Sequence, residues 1–339
     1  NENIGEFEKL KKYFQIKNQS GSLILNFKKI IEHFKKKILN KKNITTLFDN
    51  EIVDLNFSFN EKKINYSICK NKNGEEMKIY SKIHILNLGC IENNRFLLNI
   101  FEKNIEYLKK LNFGKKIMFH PSISLGNYNI VNKDLSYLTN KVDFKKKIKV
   151  FKIKNYKKKN ILINTGINFE FFEKGFKIKA LNFINYFKKI EKIGVSFMAE
   201  HLPTENSYAY LSNKIDKNGL KKISIKSHIT EENSNEIFNQ FEIYKSILEK
   251  TDIGNSKFKK SDFYINFETG NHHHGGLEFS DSQNTPTNKD MTLKNFNNLF
   301  IGGSSIFPNS SIYGPTLTII ACSYILYDNI LKKFNLSKL

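Results

Sequence analysis

Several residue types are scarce in this chain of 339 residues. It has no tryptophan, five prolines, three cysteines and a single arginine, Arg95. Because the cysteines are odd in number and far apart, we expect reduced packing residues rather than a disulfide framework or a metal site. No apolar run reaches the ~18 residues of a membrane-spanning helix, so no membrane span is expected.

The positive charge of the chain comes almost entirely from lysine. The formal net charge of +22 invites a nucleic-acid partner. The lysines are spread along the chain, however, with small clusters at 35–37, 145–147 and 157–159. A base-reading surface usually favours arginine, whose guanidinium binds bases in a bidentate manner. We therefore predict a solvated lysine surface and no nucleic-acid partner.

The first residue of the chain suggests a fragment, and its length suggests more than one domain. It begins at Asn1 and not at a methionine, so we expect the natural N-terminus to be missing and a targeting signal to be unreadable. With reduced cysteines, the cytoplasm is expected rather than secretion. A chain of this length suggests roughly two domains.

Hydrophobic periodicity predicts a mixture of helices and strands. The segments with helical spacing are 23–39, 181–192 and 230–252. Strands are predicted at 43–57, at three places within 64–89, in the alternating region 122–190, and in a hairpin at 199–225 that turns at 216–219.

The most informative stretch lies between residues 271 and 328. It contains NHHHGG at 271–276 and NNLFIGGSSIFPNSSIYGPTLTIIA at 297–321. A short apolar strand runs into a Gly/Ser turn, and a helix begins at Thr316. Such a strand, turn and helix N-terminus present backbone N–H groups and a helix dipole to a ligand. The histidine run could supply a proton acceptor to the same place; a metal-binding tract or a surface loop is the alternative.

These residues resemble the C-terminal part of the glucose-methanol-choline (GMC) oxidoreductases, which are FAD enzymes. His272–Gly275 is similar to the family's His-x-x-Gly motif, and Asn298–Pro308 to its NLYV-G/D-S-S-V-F-P segment. Gly314–Ile319 is similar to the Asn-Pro-Thr-Leu-Thr-Ile run that opens the last helix. Three further matches lie upstream: LGCIENNRFLL at 88–98, GKKIMFHP at 114–121 and AEHLPTENSYAYLSNKIDKNG at 199–219.

The resemblance implies an α+β fold with two domains. An α/β-type FAD-binding domain, incomplete here, would consist of residues 1–120 and 265–339. A substrate-binding domain, with an antiparallel sheet flanked by helices, would consist of 121–264. The segments Ile83–Gly89 and Leu299–Gly303 should then lie in one domain. The GxGxxG segment that holds the FAD pyrophosphate is absent from the sequence and should belong to the missing N-terminal portion.

The resemblance also implies an activity: oxidation of a CH–OH group of an alcohol or a sugar. His272 would take the hydroxyl proton while hydride passes to the flavin N5. If the register slips by one residue, His273 inherits that role. No metal is expected. The implied cofactor-binding residues are Ile52, Gly89, Asn93, Gly302, Gly303, Ser304, Gly314, Pro315 and Thr316.

One departure from the family pattern leaves an alternative open. The family places Asn or His just before the Pro-Thr-Leu-Thr run, where it helps to bind the substrate oxygen, and this chain has Gly314 there. A degenerate or truncated flavoprotein-like protein that binds without turnover is therefore the runner-up. The substrate is not readable, nor is the choice between oxygen and an electron-acceptor protein or quinone.

Overall fold

A computed structural model gives the structure of nine ranges of the chain. They are residues 14–16, 23–25, 27–39, 41–129, 148–151, 165–180, 183–250, 271–312 and 314–336. The return of the chain to the first domain near residue 265 lies outside these described residues.

The described residues form both helices and strands. The helices are α1 (Phe27–Lys37), α2 (Cys90–Ile100), α3 (Ile105–Lys110), α4 (Glu231–Lys250) and α5 (Thr316–Lys333), with a 3-10 helix at Ser304–Ile306. The strands of the first half are β1 (Phe14–Ile16), β2 (Leu23–Leu25), β3 (Asn50–Ser58), β4 (Lys63–Asn71), β5 (Glu76–Ile79), β6 (His84–Leu86) and β7 (Lys115–Met118). Those of the second half are β8 (Ser122–Asn129), β9 (Ile148–Phe151), β10 (Thr165–Ala180), β11 (Phe183–Ala199), β12 (Tyr208–Ile215), β13 (Lys221–Lys226), β14 (His274–Gly276) and β15 (Leu299–Ile301).

Most strand pairs are antiparallel, as the α+β prediction requires. One sheet has the order β3-β4-β5, a second β8-β11-β10-β9 and a third β13-β12-β7-β14. The second sheet lies wholly within residues 121–264, where the substrate domain is predicted. The division of the chain into domains at those boundaries stays a prediction.

The pair β6 and β15 is parallel and brings together two distant parts of the sequence. Leu299 lies opposite His84 and Ile301 opposite Leu86. The side chain of Asn298 fixes this arrangement, because its Oδ1 accepts from Ile64 N at 2.8 Å and its Nδ2 donates to Ile64 O at 2.9 Å. The segments Ile83–Gly89 and Leu299–Gly303, which were expected to share a domain, thus contain paired strands.

The core below this pair is rich in aromatic rings. Helix α2 buries the face that carries Phe96, Leu97 and Phe101, whose spacing follows the helical repeat. Phe101 lies 5.1 Å from Phe57 and 5.6 Å from Phe296 between ring centroids. Such pairs stabilise by about 0.5–1.5 kcal/mol each beyond their burial. This cluster joins β3, α2 and the segment before β15 into one core.

The predicted hairpin at 199–225 is confirmed as β12 and β13. Asp216 Oδ1 accepts from the backbone of Asn218 at 2.8 Å and of Leu220 at 3.1 Å, which closes the turn. The Asp216 carboxylate also accepts from Arg95 Nη1 at 2.8 Å. The single arginine therefore ties α2 to the hairpin, a use in which its rigid guanidinium serves better than lysine.

Two predicted helices differ from the structure. The helix predicted at 181–192 is wrong, because residues 183–192 belong to the long strand β11, which pairs with β10 from Ala180↔Phe183 onward. Aromatic and β-branched residues in this stretch suit a strand, and pairing with a neighbour decides between the two patterns. The helix predicted at 23–39 begins only at Phe27, since Leu23–Leu25 pairs with β1. The strand predicted at 43–57 likewise begins at Asn50.

The helices in the described part of the chain all fall short of the length and hydropathy that crossing a membrane requires.

Candidate active site

Two glycine turns lie side by side where β6 and β15 end. Gly89 follows β6 with φ 88°, and Gly303 follows β15 with φ 82°, conformations that glycine adopts without strain. A Cβ on Gly303 would lie 3.8 Å from the Gly89 Cα, whereas a Cβ on Gly89 would meet nothing within 4 Å. The carboxyl ends of parallel strands are where open α/β sheets bind ligands. Gly89 is exposed, so this edge is open to approach.

The side chain of Asn93 links the two glycine turns through hydrogen bonds. Its Oδ1 accepts from Leu88 N at 3.0 Å, and its Nδ2 donates to Gly302 O and to Ser305 Oγ, each at 2.9 Å. The side chain is fully buried. Asn93 was predicted to bind the cofactor, and the structure places it as a clamp between the two loops.

Ser304 links the second turn to the histidine segment. Its hydroxyl donates to the backbone carbonyl of His273 at 2.8 Å. Ser304 is buried, and this hydrogen bond fixes the histidine segment against the end of β15. Of the two predicted catalytic histidines, His273 is therefore held through its backbone.

The glycine pair after the histidines allows a close approach to β7 and α2. A Cβ on Gly275 would lie 2.3 Å from the Lys116 backbone oxygen, and one on Gly276 would lie 2.2 Å from Asn94 Oδ1. Gly275 has a φ of 85° and Gly276 a φ of 89°. No other residue type fits both the space and the conformation.

The strand register explains which histidines meet. Strand β14 pairs with β7 so that His274 lies opposite Met118. Continuing this antiparallel register by two residues sets His272 opposite His120. The two Nδ1 atoms are 3.0 Å apart, and the ring planes make an angle of 81°. The His120 and His274 rings lie 5.1 Å apart between centroids, so the three imidazoles form a row.

Burial keeps these imidazoles neutral. It lowers the pKa of His120 to about 3, with the nearby His274 and His272 adding to the effect. It lowers the pKa of His274 to about 4, and lowers that of His272 and His273 as well. A neutral imidazole has a lone pair with which to accept a proton, as a general base requires.

His272 faces the N-terminus of α5. A Cβ on Gly314 would lie 3.7 Å from His272 Cε1 and 3.8 Å from Nε2, so the two residues face each other across a small gap. Pro315 caps the helix and Thr316 is its first residue. Backbone N–H groups at such an N-terminus are free to bind a ligand. His272 and these three predicted residues are thus brought together.

Ile52 is the predicted residue that lies farthest along the chain from this site. It is half-buried in β3 opposite Cys69 of β4, where the register shifts between Ile52 and Asp54. It packs against the same core as β6 and β15. Its implied role in cofactor binding stays a prediction.

Sequence reasoning did not identify the buried His201. Its ring lies edge-on to Phe119 at 4.6 Å, and its Nε2 is 2.8 Å from His228 O. Ser310 Oγ donates to His201 O at 2.8 Å. Nothing local marks this residue in the sequence. Within the described ranges, no group of three or more His, Cys, Asp or Glu side chains is placed to hold a metal ion.

Comparison with known families identifies the second half of the chain. Residues 203–323 match the family described as GMC oxidoreductase. The predicted resemblance to this family is confirmed. The match covers the β12–β13 hairpin, the histidine segment, the glycine-serine turn and the start of α5. No curated protein matches the chain.

Two oxidases are among the solved structures with a similar fold. Pyridoxine 4-oxidase from Mesorbium loti has a TM-score of 0.62 at 13% identity, over 85% of this chain and 58% of its own. Formate oxidase gives 0.63 at 12% identity, over 87% and 62%. A formate oxidase variant from Aspergillus oryzae RIB40, studied for FAD modification, gives 0.62 at 12%, over 87% and 62%. At these identities the likeness establishes the fold, and the chain spans about three fifths of the length of these proteins.

Proposed function

We propose that this chain is the larger part of an FAD-dependent oxidoreductase that acts on a CH–OH group of an alcohol or a sugar. The observation that carries the proposal is the position of His272. Its neutral ring faces the N-terminus of α5 across the gap at Gly314, beside the two glycine turns. A proton acceptor, a ligand-binding helix end and an open sheet edge thus meet in one place.

The residues at the sheet edge fit FAD. A Cβ on Gly89 would meet no atom within 4 Å, so the space next to this turn is open. The neighbouring Gly303 adds no side chain to the second turn. Gly302 and Ser304 continue this turn, while Pro315 and Thr316 supply the helix N-terminus, whose dipole favours an electron-rich group. Bound FAD would supply the hydride acceptor that no side chain can replace.

The chain itself would manage the substrate proton. Oxidation of an alcohol requires removal of the hydroxyl proton, and the Nε2 of His272 is the imidazole nitrogen that faces the gap. Because burial lowers the pKa of His272, the ring is neutral and ready to accept at neutral pH. A positioned general base contributes ~10²–10⁴-fold in rate.

Glycine at position 314 has no side chain to supply the second polar group that the family resemblance would place beside this base. Removing one hydrogen-bond donor to a developing oxyanion typically costs ~10²–10³-fold in rate. We therefore propose slow turnover, with backbone N–H groups of the α5 N-terminus as the remaining donors. The same glycine favours the second candidate function, a flavin-binding protein without turnover.

The test uses the full-length protein loaded with FAD. Flavin reduction by an alcohol substrate is followed by anaerobic stopped-flow absorbance in variants of each histidine of the run. We expect His272→Ala to slow reduction by ~10²-fold or more and His273→Ala or His274→Ala to slow it much less. Equal and small effects of all three would assign the run a structural role and favour the non-catalytic alternative.

Re-oxidation in the same instrument distinguishes the electron acceptors. Reduced flavin is mixed with oxygen, with a soluble quinone or with a cytochrome. The names of the structural neighbours, both oxidases, favour oxygen for this chain. Faster re-oxidation by the quinone or the cytochrome would assign the enzyme to the dehydrogenases.

A further inference from the structure

The hydrogen bond between His120 and His272 can exist in two forms. Each neutral imidazole carries one proton, and the two Nδ1 atoms, 3.0 Å apart, share a single hydrogen. If His120 donates, the proton of His272 sits on Nε2, which faces Gly314 and then cannot accept. If His272 donates, its Nε2 is bare. The direction of this one bond decides whether His272 can be a base.

The third imidazole of the row can complete the hydrogen bonding of His120 when His272 donates. When His272 donates, His120 carries its own proton on Nε2 and needs an acceptor for it. Among the described residues, His120 Nε2 and His274 Nδ1 are both buried without a hydrogen-bond partner. Their rings lie 5.1 Å apart between centroids, close to the 4.9 Å of the bonded pair. Small ring rotations would let each satisfy the other, which would remove the cost of leaving a buried polar group unpaired.

The opposite direction could satisfy the same two buried atoms, but it changes where His272 carries its proton. With His120 donating from Nδ1, its Nε2 is a bare acceptor, and a bond to His274 would require His274 to be protonated on Nδ1. The hydrogen bonds would then be donated from His274 to His120 and from His120 to His272, and His272 would carry its proton on the Nε2 that faces the gap. The polarity that satisfies the fully buried His120 without disabling His272 runs from His272 through His120 to His274.

We propose that His120 is a positioning residue that accepts the Nδ1–H of His272 and so keeps the His272 Nε2 free to take a proton. The catalytic role of this hydrogen bond rests on the proposed function, whereas the His272 tautomer can be measured independently of activity. His274 holds His120 in the same manner. When the substrate O–H bond breaks, the new N–H bond forms at His272 Nε2, and the bond from Nδ1 to His120 becomes charge-assisted and stronger.

His120 itself is not expected to take the proton. It is fully buried, and burial lowers its pKa to about 3. Its position after β7, followed directly by Pro121, restrains its backbone. A rigid, neutral acceptor is what fixes a tautomer, in the way that a buried hydrogen-bond partner orients the histidine of a catalytic triad.

The test reads the tautomer directly. Full-length protein with 15N-labelled histidine is studied by long-range 1H–15N correlation NMR near neutral pH, and His272→Ala assigns the His272 signals. We expect the Nδ1–H tautomer for His272. Finding the Nε2–H tautomer in the unmodified protein would overturn the proposal, whatever the activity.

Two variants of His120 separate its hydrogen bond from its volume. His120→Asn keeps an acceptor close to the position of Nδ1, whereas His120→Phe keeps a ring of similar size without an acceptor. We expect His120→Phe to shift His272 toward the Nε2–H tautomer and to slow flavin reduction by up to the ~10²–10⁴-fold that a positioned base is worth. His120→Asn should retain the Nδ1–H tautomer and most of the rate.

His201→Phe is the matched control, since His201 is equally buried and its hydrogen bonds go to His228 and Ser310. The His272 tautomer should not change in this variant. Retention of the Nδ1–H tautomer in folded His120→Phe would refute the role of His120. A rate unaffected by His272→Ala would instead refute the proposed function, with the tautomer assignment intact.

Discussion

Restoring a polar group at Gly314 is the sharpest test of the gap opposite His272. Among the described residues, a Cβ there would touch only the His272 ring, at 3.7 and 3.8 Å, which is ordinary van der Waals contact. Gly314 does not lie in the left-handed region, so a side chain requires no change of backbone conformation. Gly314→Asn is therefore expected to fold normally and to place an amide beside the His272 Nε2.

The expected gain follows from the cost of a missing oxyanion donor. Loss of one such donor typically slows chemistry by ~10²–10³-fold, so its return should raise the rate constant of flavin reduction by on the order of 10²-fold. The assay is anaerobic stopped-flow bleaching of the flavin in the full-length, FAD-loaded protein. Gly314→Ala is the matched control, because it adds the Cβ without the amide.

The combination with His272→Ala completes a double-mutant cycle. If the amide and the imidazole act on the same oxygen, the gain from Gly314→Asn should largely disappear in the His272→Ala background. A Gly314→Asn protein that binds FAD but reduces it no faster than Gly314→Ala would refute this reasoning. So would a gain of equal size with and without His272.

Two further predictions concern stability. Gly275→Ala should destabilise by about 1–3 kcal/mol for its positive φ, and by a further ~1–3 kcal/mol for overlap with the Lys116 carbonyl. Gly74→Ala, with a similar φ and nothing within 4 Å, should show only the first cost in urea unfolding, and equal costs would contradict the close approach. Burial lowers the pKa of His120 to about 3 and of His201 to about 4, so between pH ~6.5 and ~4 the unfolded chain binds more protons. As the pH falls through this window, each of the two histidines should lower the folding equilibrium constant by up to ~tenfold per pH unit. A urea midpoint that stays constant there would contradict their burial.

The elements that the sequence predicts correctly are those with strong local signals. The apolar strands before Gly89 and Gly303 are short and bounded by glycine, and the structure pairs them in parallel. The helix at 230–252 has a clear apolar face and appears as α4. The turn at 216–219 contains the Asp and Gly that its hydrogen bonds require.

The errors in the predicted secondary structure arise where strand pairing outweighs the local hydrophobic pattern. Residues 181–192 have apolar groups at spacings that fit a helix, yet the long neighbour β10 offers a full antiparallel ladder, and β11 results. The contact between His120 and His272 spans 152 residues. Only the register of β7 against β14 brings these rings together, and no spacing within the sequence contains that register. The types of residue at the candidate site could thus be predicted from the sequence. The packing of three imidazoles in a row could not.

The bond between Asn298 and Ile64 has a consequence for how the protein is made. These residues are 234 positions apart, so β4 and β6 leave the ribosome long before the strand that covers them. At ~5–20 residues per second the delay is roughly 10–50 s. The separation itself adds little equilibrium cost, because doubling a loop costs only about 0.6 kcal/mol. The delay instead leaves the apolar surface of α2 and β6 uncovered during synthesis, which makes the nascent chain a substrate for chaperones until Leu299–Ile301 emerges.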